Sequence, residues 1–181
     1  SQKHRWDTIG QLIQERAAQE QVRVLVVVSA LSGVTNQLQS LIDHADDAAF
    51  MAETSRRLIE RHLQFARELD VPEQVLSERL AQLQALLADE RRSNRSFDWQ
   101  AELLSQGEML SSTLGVAYLQ SRQLPVAWLD ARDWLLAVPV PNQSPWAARL
   151  SVSCDYKSDA AWRARFDRNP ELMITQGFIA R

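Results

Sequence analysis

The chain alternates between two hydrophobic rhythms, one of helical period and one of short unbroken apolar runs. Residues 4–19 set Trp6, Ile9, Leu12, Ile13 and Ala17 on one side of a helix. The run VRVLVVVSA, residues 22–30, has the density of Val and Leu expected of a central parallel strand buried on both faces. A small-residue turn, LSGVTN, ends it, and a helix is predicted over 36–45. Residues 51–92 read as a helical hairpin, because Val71-Pro72 interrupts the helix: proline disfavours helical geometry in the residue before it. Leu76, Leu80, Leu83 and Leu87 form a stripe on the second arm, read as packing on the first arm or on the domain rather than as a coiled-coil seam.

Beyond the polar SNRSFD, a long helix is predicted over 99–122, with Leu103, Leu110, Leu114 and Ala117 as its core stripe. A short strand follows over 125–130, then a helical piece from Ala131. Three prolines make AVPVPNQSPW a loop. ARLSVSCD reads as a strand, SDAAWRARF as a helix, and 172–175 as a strand closed by a corner at Gly177. Strands alternating with helices predict a three-layer α/β/α sandwich around a mostly parallel sheet, within one domain spanning 1–181.

Composition narrows the class. No apolar run is long enough to span a membrane, and the start of the chain has no signal-peptide core. A lone Cys154 fits a reducing, cytoplasmic setting. A formal charge of −3 with scattered basic residues gives no nucleic-acid footprint. His4, His44 and His62 share no metal-ligand spacing and are assigned to polar helix faces. With only five glycines, the chain contains no phosphate-gripping loop.

Candidate chemistry gathers at the carboxyl ends of the predicted strands, where open α/β sheets bind ligands. After the first strand, Ser29, Ser32 and Thr35 surround a turn into a helix, as anion ligands or simply as helix caps. On the long helix, Glu108 has Leu104, Ser105, Ser111 and Ser112 as its neighbours and no basic residue at helical spacing. It is either an ammonium ligand or a solvated surface carboxylate. Gly107 beside it costs about 1 kcal/mol relative to Ala in a helix, which points to close packing or approach by a ligand there. Gly177-Phe178, after the last strand, forms either a ligand wall or an ordinary turn.

In this order and spacing, VVVSALSGVTN, LLSQGEMLSS, LPVAWLDARD and ITQGFIAR resemble the aspartate kinases of the amino acid kinase family. There is a fainter likeness to the kinase half of fused aspartate kinase–diaminopimelate decarboxylases. The resemblance implies an amino acid kinase-like sandwich, incomplete in this chain. It also implies phosphorylation of the side-chain carboxylate of L-aspartate with ATP and Mg2+, in a full-length protein that is a homo-oligomer. Ser29 would stand near the reacting groups, Thr35 would help hold the aspartate, Glu108 would bind its ammonium, and Gly177 and Phe178 would close one wall.

The family's K-F-G-G-T-S loop, expected just before Ser1, and its G-R-G-G-S-D segment, expected soon after Arg181, do not occur in the 181 residues. The resemblance therefore assigns this stretch substrate-binding residues but no catalytic ones, and implies that alone it transfers no phosphate. It also implies exposed sheet edges. Competing readings are a glutamate or carbamate kinase, which the Glu108 segment disfavours, a non-catalytic aspartate-binding remnant, and a hairpin that serves as an interaction arm.

Overall fold

The computed structural model describes residues 2–19, 22–155, 160–168 and 172–180. In chain order the elements are α1 (Gln2–Ala17), β1 (Val24–Val28), α2 (Val34–Asp43), α3 (Ala48–Glu68), α4 (Ser77–Leu87), α5 (Phe97–Ser121), β2 (Val126–Trp128), α6 (Ala131–Trp134), β3 (Ala137–Val138), α7 (Ala147–Leu150), β4 (Ser153–Cys154), α8 (Ala160–Asp167) and β5 (Leu172–Gln176). Short 3-10 turns, Glu73–Leu76 and Glu90–Arg92, precede α4 and α5.

The main sheet has the order β1-β5-β2 and is parallel throughout, with Val28 beside Gln176 and Trp128 beside Ile174. All three strands therefore end on the same side of the molecule. Side chains alternate across the sheet. Val24, Val26, Val28, Leu172, Ile174, Val126 and Trp128 face the main core, which α1 to α5 supply. Met173, Ala127 and Leu129 face the other way and pack with Trp134 and Phe166 from α6 and α8. The three-layer sandwich is thus present, with its second helical layer only partly filled.

β1 departs from its reading as a central strand. It lies at the edge, with β5 in the middle, and its outward residues Leu25 and Val27 are 41% and 59% exposed. A valine-rich run records strand propensity but cannot say which neighbours cover its second face. α1 differs in a similar way. Trp6, Gly10 and Ile13 face the core, while Ile9 and Leu12 face outward, and the Ala17 side chain lies outside the described residues.

The hairpin arms pack on the domain. Leu76 and Leu83 are fully buried, with Leu80 and Leu87 against the same core, and the Trp99 indole N–H donates to the Leu86 carbonyl at 2.8 Å. α3 starts at Ala48, ahead of its predicted start, because the Asp47 carboxylate caps it by accepting from the Phe50 N–H at 2.9 Å. His62 was assigned to a polar face but is fully buried, its Nδ1 2.8 Å from the Leu58 carbonyl oxygen. ARLSVSCD forms a helical turn and then two strand residues, Ser153–Cys154, paired antiparallel with Ala137–Val138 from the proline loop. Of SDAAWRARF, residues 158 and 159 lie outside the described residues, and the rest lies within α8.

α5 organises the site. Along its 25 residues it contacts all three strands of the main sheet together with α2, α4 and α7. Two glycines let it lie so close. A β-carbon at Gly107 would stand 2.8 Å from the Ala30 β-carbon, and one at Gly115 would stand 2.7 Å from the Trp6 ring. The close packing read from Gly107 is therefore against the turn that follows β1.

Candidate functional site

A cavity of about 840 Å³ opens at the strand ends, and Ser29, Thr35, Glu108 and Phe178 all line it. Gly177 belongs to the same turn but faces an apolar hollow of about 280 Å³ on the other side, which Phe178 also lines. Four of the five sequence-selected residues thus converge on one space, and the fifth forms the hinge of its wall.

Glu108 decides the chemistry. It is 8% exposed, so the reading as a solvated surface carboxylate is excluded. Its Oε1 accepts a long hydrogen bond, 3.4 Å, from the Ala30 N–H, and no Lys, Arg or His among the described residues pairs with it. Burial raises its pKa above the ordinary carboxylate value, against the weaker pull of the backbone N–H groups of Glu108 and Ala30. Ionised, such a carboxylate lacks a counter-charge, and a ligand ammonium would supply it.

The turn after β1 is fixed from α5. The Ser111 hydroxyl donates to the Ser29 carbonyl at 2.8 Å, which leaves the exposed Ser29 side chain at the cavity rim. Gly33, with φ of 80°, forms the N-cap of α2 without any side-chain cap bond. Neither Ser32 nor Thr35 therefore caps that helix, and the exposed Thr35 keeps its hydroxyl for the cavity. On the opposite wall, the Gly177 N–H donates to the Val28 carbonyl at 2.8 Å and extends the β1–β5 ladder into the turn. Phe178 follows at φ 60° and is 93% exposed. A β-carbon at Gly177 would meet Val27 at 3.4 Å and the Ser29 hydroxyl at 3.8 Å, ordinary van der Waals distances, so the two strand-end turns lie side by side.

Sequence reading missed two residues. Gln176, 1% exposed, accepts from the Ala131 N–H at 2.8 Å and donates to the Ser112 hydroxyl at 2.9 Å. That hydroxyl also accepts from the Trp128 indole N–H at 2.9 Å. One amide thus joins β5, α5, β2 and the start of α6. The available signal was parity: Gln176 is a polar residue on the same strand face as Leu172 and Ile174, and a buried polar group needs partners. Arg132, also missed, lines the cavity and is held by Asp130. Among the described residues no group of three or more His, Cys, Asp or Glu is placed to hold a metal ion.

The chain is a parallel α/β sandwich with a polar cavity at its strand ends, and its fold matches that of the aspartokinase structures. In sequence and fold the chain is similar to aspartokinases. It is 28% identical over 170 residues to the chloroplastic bifunctional aspartokinase/homoserine dehydrogenase 1 of Zea mays, and 27% over 169 residues to that of Arabidopsis thaliana. Each alignment covers 87% of this chain and 18% of the relative, so the chain spans under a fifth of those proteins. These relatives are fused to a homoserine dehydrogenase, not to a decarboxylase.

The structure of E. coli aspartokinase III in complex with lysine and aspartate, in its T-state, matches with a TM-score of 0.70 at 25% identity, covering 96% of this chain and 38% of that one. The R-state structure of E. coli aspartokinase III with aspartate and ADP matches in fold with a TM-score of 0.67 at 22% identity, over 97% of this chain and 37% of that one. No family model matches the chain.

Proposed function

We propose that this chain forms the amino-acid-binding part of an aspartokinase, which transfers the γ-phosphoryl group of ATP to the side-chain carboxylate of L-aspartate. The observation that carries the reading is Glu108, a buried carboxylate at the strand ends with no cationic partner among the described residues. The similarity to aspartokinases, including one solved with aspartate, points to the same substrate. Glu108 takes the substrate ammonium. Thr35 and the Ser29 turn contact the rest of the molecule, and Gly177-Phe178 forms the wall that limits its length. Transfer of this kind is mainly positioning and charge stabilisation, so a residue that anchors the ammonium contributes by orientation.

ATP and Mg2+ belong to the reading as co-substrate and cofactor, but no step is assigned through them, because the described residues form no metal-holding cluster. No lysine among the described residues lines the cavity, and Lys3 is paired with Asp70 at 2.9 Å. By itself this stretch is expected to bind L-aspartate without forming aspartyl phosphate, as its resemblance to the aspartate kinases implies. The free Cys154 accords with a reducing compartment.

Calorimetric titration of the purified chain with L-aspartate tests the reading. Glu108→Gln, which keeps shape and burial, is expected to weaken binding at least about 100-fold, the cost of losing a desolvated charge-assisted pair. Equal affinity of the variant and the unaltered chain would remove Glu108 from the site.

A further inference from the structure

The ammonium contact leaves one wall of the cavity unexplained, and that wall carries two arginines. Arg149 approaches Asp98 at 2.5 Å, but both side chains are about three-fifths exposed, at 60% and 59%. Such a pair keeps most of its side-chain freedom and fixes little.

Arg132 is held differently. Its Nε and Nη2 donate to the two oxygens of Asp130 at 2.9 and 2.6 Å. The Arg132 backbone N–H donates to the same carboxylate at 2.9 Å, and the Asp130 side chain is only 16% exposed. The preceding N–H, of Ala131, is bound by the buried Gln176. Backbone and side chain are therefore both fixed before any ligand arrives, and Nη1 has no partner among the described residues. A planar guanidinium held by one edge presents its other N–H groups as a fork, the geometry that reads an oxyanion. The cost of ordering a long side chain has already been met by Asp130.

We propose that Arg132 is a specificity-determining residue, which takes an oxyanion of the ligand whose ammonium Glu108 holds. The inference rests on the amino-acid-binding reading and adds to it a requirement for an anionic group beyond the ammonium. Two sources share that chemistry, a carboxylate of the amino acid and a phosphoryl group. Among the residues around Arg132, Asp133 and Glu102 add negative charge, which raises its pKa further and keeps it cationic.

The test measures L-aspartate, L-asparagine and inorganic phosphate binding by the purified chain, the Arg132→Gln and Arg132→Lys variants, and Glu108→Gln. Arg132→Gln is expected to weaken L-aspartate binding about 10- to 100-fold and bring its affinity level with that of L-asparagine. Arg132→Lys, which keeps the charge and a bond to Asp130 but not the fork, should fall between and guards against a folding defect. Loss of phosphate binding with the aspartate preference intact would assign the oxyanion to a phosphoryl group. Unchanged binding of all three ligands in both Arg132 variants would overturn the inference, even with binding lost in Glu108→Gln. No effect of Glu108→Gln would instead sink the reading beneath it.

Discussion

At the scale of single residues, the sequence says more about the local neighbours of Glu108 than about the surroundings of His62. For Glu108, helical spacing names its neighbours: four positions either way hold no cation, so a surface pair was excluded, while its burial came only from the structure. His62 was misread because its burial depends on contacts far along the chain. It sits on the face of α3 that carries Leu58, Phe65 and Ala66, and its Nε2 has no hydrogen-bond partner among the described residues. Burial lowers its pKa from the usual 6.5, the Leu58 carbonyl partly offsets that, and the nearby Arg61 charge lowers it further.

The unfolded chain therefore takes up a proton near pH 6.5 that the folded chain resists. Above that value His62 carries no penalty, and stability falls as the pH drops below it toward the depressed folded pKa. Urea denaturation at a series of pH values should show this loss, with a slope of at most about 1.4 kcal/mol per pH unit from this one group. His62→Leu should remove that component, and an unchanged pH profile would assign the titration elsewhere.

At the scale of elements, helix and strand types were legible from periodicity, whereas sheet order was not. The edge position of β1, with β5 in the middle, illustrates the reason. Both are short apolar runs, and which one is central depends on the crossover path rather than on either run. α5 shows the opposite case. A glycine in mid-helix has a local cost that demands a reason, and the reason is the contact with the turn after β1.

Gly107→Ala tests that contact. The substitution gains helix propensity, yet its new methyl must displace the Ala30 β-carbon 2.8 Å away, with Leu38 and Val34 each at 3.3 Å. Overpacking of this kind costs about 1–3 kcal/mol, so net destabilisation is expected in thermal melts. Because Ala30 also bonds Glu108, L-aspartate affinity should fall with it. A variant more stable than the original would mean that α5 and the turn are free to separate.

At the scale of the whole molecule, the strand-end cavity and the exposed apolar surface come from the same sheet. One face rests on α1 to α5. The other is only partly covered by α6 and α8, so that Leu25 and Val27 stand exposed beside the apolar hollow formed with Leu129, Trp134 and Phe166. Among the described residues β1 pairs on one side only, with β5. An apolar strand with a free edge is a template for association. The purified chain is therefore expected to self-associate as its concentration rises. Replacing Leu25 and Val27 together by Thr keeps β propensity while removing apolar surface, and sedimentation velocity should then show the monomer persisting to concentrations at least several-fold higher. Because neither side chain lines the strand-end cavity, L-aspartate affinity should be unchanged in that variant. If association persists undiminished, the contact lies elsewhere, and the outward face of α1 with Ile9 and Leu12 is the next surface to alter.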